Sequence, residues 1–96
     1  MYGTVARIRV KPGMEQALIA ELDAHAAQVP GYREGHLYRL DKDPSAYLLT
    51  IVFDSKEAYV ANAQSPEQNA RYQRLRAAMA EDPEWMDGEI VGSYRR

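Results

Sequence analysis

The chain has 96 residues, a length that fits one small domain spanning 1–96. Its 12 basic and 14 acidic residues give a net charge of −2, which excludes the strongly basic surface of a nucleic-acid-binding protein. Cysteine is absent, which excludes disulfides and thiolate chemistry. No run of residues resembles a signal peptide or a membrane span, so we expect a cytoplasmic protein with neither nucleic acid nor membrane as a partner.

The first 45 residues predict strand, helix and strand in turn. Residues 2–10 carry a mostly apolar face on even positions and predict a strand, stopped by the turn residues 11–13. Residues 14–28 have apolar side chains at helical spacing, and Pro30-Gly31 ends that helix. Residues 32–41 predict a second strand, which the turn-forming residues 41–45 join to the next strand as a hairpin.

The longest β-branched and aromatic run is Ala46-Tyr47-Leu48-Leu49-Thr50-Ile51-Val52-Phe53, which predicts a central strand. Both its odd and its even positions are apolar, so both faces of the strand must be covered. Sequence alone does not decide which face meets the helices.

The second half predicts a broken helical region and a closing strand. Asp54-x-x-Glu57 is typical of a capping box that starts a short helix to about residue 64. Ser65-Pro66 starts a second helix, which we expect to run to about residue 81. Trp85 follows in a predicted loop, and residues 89–95 are the predicted closing strand.

The order β-α-β-β-α-β predicts an α+β, ferredoxin-like fold with a four-stranded antiparallel sheet. Helices cover one face of such a sheet, whereas the central strand requires cover on both. The chain is therefore predicted to form a homodimer by sheet-to-sheet packing, and the alternative is a monomer that tolerates half-exposed, tyrosine-rich sheet faces.

Four stretches of the sequence resemble the antibiotic biosynthesis monooxygenase family. They are Arg7-Ile8-Arg9-Val10-Lys11-Pro12-Gly13-Met14, Val29-Pro30-Gly31-Tyr32, Phe53-Asp54-Ser55-Lys56-Glu57-Ala58-Tyr59 and Ser65-Pro66. The resemblance covers nearly the whole chain and implies a dimeric α+β barrel. It also implies oxidation of a small aromatic or quinol-type substrate without a cofactor, although the fold alone does not select one activity.

The haem-degrading branch of that family is not implied. Its pattern requires an asparagine on the first strand, a tryptophan in the second helical region and a haem-ligating histidine after the serine break. Ala6, Asn62 and Tyr72 stand at the matching positions, so none of the three is kept.

Three residues are the predicted catalytic group, each with a structural alternative. His25 lies in the apolar arc of the first helix, as a base at the helix–sheet cleft or as a hydrogen-bonded core histidine. Asn62 orients a substrate carbonyl or phenol, or caps its short helix. Tyr72 lines the cleft or simply packs. We predict no metal site, because the two histidines, His25 and His36, lie on different elements without a convincing ligand set.

Four aromatic residues are predicted to bind substrate: Trp85, Tyr59, His36 and Tyr38. Trp85 covers the cleft or plugs it. His36 and Tyr38 share a strand face, which lines the pocket if it meets the helices and forms the dimer interface if it does not. The resulting hypothesis is a cofactor-independent monooxygenase, and its alternative is a non-catalytic ligand-binding or interaction module on the same dimeric fold.

Overall fold

Four strands and three helices make up the described residues of the computed structural model, which are 1–26 and 28–96 without the side chain of His25. The elements in chain order are β1 (Tyr2–Arg9), α1 (Glu15–Ala26), β2 (Tyr32–Arg39), β3 (Ala46–Phe53), α2 (Lys56–Ala63), α3 (Pro66–Ala77) and β4 (Glu84–Glu89). No helix among these residues has the length and apolar character needed to cross a membrane.

The strands form one antiparallel sheet in the order β2-β3-β1-β4. The central strand β3 therefore pairs along both of its edges, with Ala6 opposite Leu49 on one side and Leu37 opposite Leu49 on the other. This arrangement confirms the predicted ferredoxin-like α+β fold, with the second helical region divided into α2 and α3.

One face of the sheet packs against the helices and holds the core. Ile8 of β1, Leu18 of α1 and Met79 after α3 are almost completely buried there. Full burial of each such side chain stabilises the folded state by about 1.5–3 kcal/mol. Because β3 pairs in register with β1, its odd positions Leu49 and Phe53 lie on this helix side.

The even positions of β3 lie on the opposite face, which we call the outer face. Leu48 and Val52 are half-buried there, and Val5, Tyr38 and Met86 of the neighbouring strands are exposed. The molecule measures only 20 Å in its thinnest direction, which fits one sheet and one helix layer. No described helix or strand covers the outer face.

Strand β2 contains an irregularity that turns Tyr32 toward the helices. Tyr32 pairs with Phe53 and Glu34 with Val52, so β2 has one extra residue at Arg33. The extra residue reverses the alternation of side chains, as a β-bulge does. The Tyr32 ring then reaches back over Gly35, where an added Cβ would lie 2.5 Å from the tyrosine Oη.

Each of the later helices begins at a serine. Ser55, rather than the predicted Asp54, is the N-cap of α2, and its Oγ accepts a hydrogen bond from the Ala58 amide at 3.1 Å. The predicted N-cap Ser65 is confirmed for α3, where its Oγ accepts from the Gln68 amide at 3.0 Å. An N-cap of this type stabilises a helix by about 1 kcal/mol.

The first turn of α1 is attached to the sheet by Glu15. Its Oε1 accepts hydrogen bonds from Arg39 Nε at 2.8 Å and from the Tyr47 hydroxyl at 2.9 Å. These two contacts, with that of Arg39 the larger, lower the pKa of the Glu15 carboxyl. The pairing keeps one end of α1 close to β2 and β3.

The position of the last strand corrects the sequence prediction. We expected a loop around Trp85 and a strand over 89–95, whereas Trp85 lies in β4, which ends at Glu89. Every residue of β4 is exposed, so no apolar alternation marks it. Val91 and Tyr94, which lie within the predicted strand over 89–95, are 96% and 94% exposed.

Gly31 offers a test of the contact between the α1–β2 turn and α2. Its φ is +81°, and an added Cβ would lie 2.6 Å from Ala58 Cβ, whereas Gly13 has a φ of +77° and open space. We expect Gly13→Ala to lower the free energy of unfolding by about 1 kcal/mol, the cost of the left-handed backbone. Gly31→Ala is expected to cost about 1–3 kcal/mol more, because the methyl groups collide.

Urea unfolding of the two variants measures this difference. Adding Ala58→Gly to Gly31→Ala is expected to recover most of the additional loss. Equal destabilisation by Gly13→Ala and Gly31→Ala would show that the contact with α2 is unimportant.

Candidate functional site

Two adjoining cavities lie between the helices and the sheet. The first cavity, of about 300 Å³, lies among α1, α3, β2 and β3, and the second, of about 390 Å³, lies over β1 and β4 beside α2 and α3. They share five lining residues: Ile51, Phe53, Asn62, Gln68 and Trp85. The two cavities therefore form one cleft, which we call the helix–sheet cleft.

The walls of the cleft are mainly apolar. Leu37, Leu49 and Ile51 rise from the sheet into the first cavity, opposite Leu22 of α1 and Leu75 of α3. Apolar walls with a few converging polar groups are typical of sites for small organic ligands.

Three polar side chains form what we call the amide–arginine cluster: Asn62, Gln68 and Arg71. Asn62 Nδ2 donates to Gln68 Oε1 at 3.3 Å. Arg71 Nη1 donates to Asn62 Oδ1 at 3.3 Å and to Gln68 Oε1 at 3.2 Å. The break between α2 and α3 brings these side chains together, because the chain turns at Ser65, whose Oγ accepts from the Gln68 amide in the first turn of α3. The cluster therefore presents hydrogen-bond donors in an apolar cleft.

Tyr59 and Asp87 form a second polar pair, in the second cavity. The Tyr59 hydroxyl donates to Asp87 Oδ1 at 2.8 Å, and its ring lies 5.4 Å from the rings of both Tyr2 and Phe53. Burial, and then the hydrogen bond to Asp87, raise the pKa of Tyr59 to about 12, while the nearby Thr4 side chain opposes the shift. Tyr59 therefore stays protonated at neutral pH and acts as a hydrogen-bond donor.

Thr4 is the unusual polar residue of this cavity. The residue is 4% exposed, and among the described residues its Oγ1 makes no regular hydrogen bond, although it lies close enough to Tyr59 to affect the pKa of that phenol. A buried hydroxyl without a partner costs about 1–3 kcal/mol. Since Thr4 lines the second cavity, a ligand there is a natural partner for it.

Four of the predicted site residues meet in the cleft: Asn62, Tyr72, Trp85 and Tyr59. The C-cap of α2 is Gln64, whereas the Asn62 carbonyl oxygen accepts from Ser65 at the helix break. The amide side chain of Asn62 joins the amide–arginine cluster. Trp85 is 41% exposed, so it borders the cleft rather than plugging it. Tyr72 lines the second cavity.

The predicted residue His25 belongs to α1, but its imidazole lies outside the described residues. In the helix it follows the cavity-lining residues Glu21 and Leu22 by one turn. In the described part of the chain, no three His, Asp or Glu side chains gather as metal ligands would.

His36 and Tyr38 lie with their side chains on the outer face of the sheet. The His36 Nε2 is 3.3 Å from Glu34 Oε2, and the two aromatic rings are 6.4 Å apart. His36 also borders the first cavity. Its side chain and that of Tyr38 nevertheless face away from the helices, which favours a place in a dimer interface over a role in lining the pocket.

Sequence reasoning missed Thr4, Arg71, Asp87 and Gln68. A signal existed for Arg71, which stands four residues before the buried Leu75 and therefore on the same face of α3. None existed for Asp87, because the exposed strand β4 was predicted as a loop.

The fold places the chain among ferredoxin-like α+β domains, and comparison with known proteins identifies the family. Residues 1–75 match the sequence model of the antibiotic biosynthesis monooxygenase domain. The chain is 32% identical to a structure from Chloroflexus aurantiacus J-10-fl that is assigned to this family, with a TM-score of 0.79 over 98% of this chain and 96% of that one. The chain therefore belongs to the antibiotic biosynthesis monooxygenase family.

Two further structures share the fold at lower identity. SnoaB, a cofactor-independent oxygenase from Streptomyces nogalater in a variant form, is 20% identical with a TM-score of 0.82, covering 99% of this chain and 97% of its own. A family protein from Bordetella bronchiseptica is 20% identical with a TM-score of 0.78, covering 94% and 96%. No curated protein matches the chain.

The raised pKa of Tyr59 predicts how stability depends on alkaline pH. The folded state holds the phenol neutral up to about pH 12, whereas the unfolded phenol ionises near pH 10. The stabilisation is therefore complete below pH 10 and is lost as the pH rises to 12. We expect the stability advantage of the native protein over Tyr59→Phe to shrink across this range.

Denaturant unfolding of the two proteins at pH 8, 10, 11 and 12 measures this difference. Tyr94→Phe, at a tyrosine that is 94% exposed, is the control and is expected to follow the native protein. A constant difference between native protein and Tyr59→Phe would contradict the prediction.

Proposed function

We propose that this protein is a cofactor-independent monooxygenase that oxidises a small aromatic, quinol-type substrate in the helix–sheet cleft. The observation that carries the proposal is the second cavity, where aromatic walls meet the unpaired Thr4 hydroxyl and the Tyr59–Asp87 pair. Membership of a family of monooxygenases supports the same reaction class.

The chemistry asks little of the protein. A phenol with an acidic proton is deprotonated, and its carbanion-like ring carbon donates one electron to dioxygen. Recombination of the two radicals forms a hydroperoxide, and loss of water leaves one oxygen atom in the product as a carbonyl. The site must supply a base, donors for the anion and an apolar wall.

The proposed roles follow from the position of each residue. His25, one turn along α1 from the cavity-lining Glu21, is the proposed base, because imidazole exchanges protons near neutral pH. Asn62 and Tyr72 are the proposed hydrogen-bonding groups for the phenolate. Trp85 and Tyr59 provide the aromatic walls against which the ring stacks.

We also propose that two copies of the chain pack through their outer faces. The exposed Val5, Tyr38 and Met86 beside the half-buried Leu48 and Val52 form an apolar surface on one side of the sheet. A second sheet on this surface would remove these side chains from water. A shared surface of this kind would complete the dimeric α+β barrel that the sequence resemblance implies.

Oxygen consumption with a panel of hydroquinones and anthrone-like phenols tests the function. We expect oxygen uptake with at least one member of the panel. Asn62→Ala and His25→Ala are expected to lower kcat by about 10²–10³-fold, since each removes a group that acts on the reacting anion. Tyr72→Phe and Thr4→Val are expected to lower it by about tenfold, the effect of one hydrogen bond.

Gln73→Ala, at an exposed position of α3 next to Tyr72, is the control and is expected to retain full activity. Uptake that persists unchanged in the four site variants would remove the proposed roles. Tight binding of these phenols without oxygen uptake would instead favour the non-catalytic binding module.

Glutamate substitutions test the proposed dimer. We expect Val5→Glu to produce monomers, because a charge would be buried between the two sheets. Val60→Glu on α2 is the matched control, since Val5 and Val60 are both 37% exposed in the single chain. Sedimentation at micromolar concentration distinguishes the outcomes, and an unchanged mass for Val5→Glu would contradict the sheet-to-sheet dimer.

A further inference from the structure

Arg71 differs from the other arginines of the helices and strands. Arg7, Arg9, Arg33, Arg39, Arg74 and Arg76 each form an ion pair with a carboxylate. Arg71 contacts only two amide oxygens in the described part of the chain. Its charge is permanent at any pH near neutrality and therefore remains uncompensated.

The contacts of Arg71 use only one of its three nitrogens. Both hydrogen bonds come from Nη1, to Asn62 and Gln68. Among the described residues, nothing accepts from Nε or Nη2. These two nitrogens form the edge on which a carboxylate binds with two parallel hydrogen bonds. The amides therefore hold the guanidinium in place while this edge keeps its donors.

Arg71 lies between two cavities. It lines the first cavity and also a neighbouring third cavity of about 490 Å³ beside Pro30, Gly31 and Ala58. The side chain is half-buried, so an ion pair formed there is less screened by water than one on the open surface.

Three acidic residues lie near Arg71, and none of them neutralises it. Glu67, one turn earlier in α3, lines the third cavity and forms no ion pair with Arg71. Glu21 lines the first cavity and pairs with Arg74 at 3.1 Å. Asp23 is exposed and also lines the first cavity, and it makes no ion pair with Arg71.

We propose that the ligand of the cleft is an aromatic phenol that also carries a carboxylate, and that Arg71 binds this carboxylate. The inference deepens the proposed function, on which it rests, by naming the substrate class. The aromatic ring occupies the apolar part of the cleft and the carboxylate meets the Nε–Nη2 edge. A phenol alone is neutral at pH 7 and is deprotonated only during the reaction. It therefore does not balance the permanent positive charge of Arg71 in the resting complex.

Isothermal titration calorimetry with a matched pair of probes tests the inference. 1-Hydroxy-2-naphthoate carries the carboxylate and 1-naphthol lacks it. We expect the native protein to bind the carboxylated probe about tenfold or more tightly than 1-naphthol. Arg71→Gln is expected to lower the affinity for the carboxylated probe by about 10–100-fold, the effect of losing a charge-assisted pair. The affinity for 1-naphthol is expected to fall by less than about threefold.

Two further variants separate recognition from charge and folding. Arg71→Lys keeps the charge but loses the planar fork, so we expect an intermediate loss for the carboxylated probe. Arg95→Gln removes one positive charge from the exposed C-terminal segment, which lines none of the three cavities, and is expected to leave both affinities unchanged. Thermal unfolding of each variant shows that the fold is retained.

Equal affinity of the native protein for the two probes would overturn the inference, as would failure to bind either probe. If Arg71→Gln and Arg71→Lys both lower the affinity for the two probes by the same factor, Arg71 only shapes the cleft. The oxygen-uptake assay is separate: a carboxylate preference that depends on Arg71, without any uptake, would refute the monooxygenase proposal and leave the assigned ligand class in place.

Discussion

The pairing of β3 along both edges is the constraint on which the rest of the structure depends. A strand bonded on both sides has no freedom to slip, because a shift of one residue would exchange its two faces. Leu49, Ile51 and Phe53 are thereby fixed as the wall of the helix–sheet cleft. Leu48 and Val52 are fixed on the outer face by the same pairing. The pairing of one strand thus determines which side chains lie on each face of the sheet. The short strand β4 pairs only with β1 and adds Trp85 and Asp87 to the cleft.

The polar groups of the cleft are only partly hydrogen-bonded to one another. Within the amide–arginine cluster, neutral amides stabilise a cation and leave part of its hydrogen-bonding capacity unused. In the second cavity, the Tyr59 hydroxyl donates to Asp87, whereas Thr4 Oγ1 makes no regular hydrogen bond with any described residue. Buried polar groups in native proteins are nearly always hydrogen-bonded, so this unused hydrogen-bonding capacity sets the cleft apart from the rest of the described core. The surrounding apolar walls make such polar contacts stronger than they would be in water.

Most of the fold could be predicted from the sequence, because its strongest signals are local. The apolar run of β3, the glycine and proline stops after α1 and the Ser65-Pro66 start of α3 all appear where the structure has them. β4 could not be predicted, since its exposed residues carry no apolar pattern and its pairing with β1 joins distant parts of the chain. The bulge at Arg33 was equally hidden. For the site, Asn62, Tyr72, Tyr59 and Trp85 were expected in the cleft, but the partnerships of Arg71 and Asp87 depend on tertiary contacts that spacing does not reveal.

The bulge in β2 also determines how deep the cleft is at one end. It turns the Tyr32 ring over Gly35, and both residues line the first cavity. A methyl group on Gly35 would lie 2.5 Å from the Tyr32 Oη and 2.9 Å from the carbonyl oxygen of Thr50, so no larger residue fits without moving the ring. Stacking of an aromatic ring over a strand glycine compensates for the missing side chain. The cleft at this end is therefore bordered by an aromatic ring rather than by an aliphatic surface, and its extent there depends on one glycine and one tyrosine together.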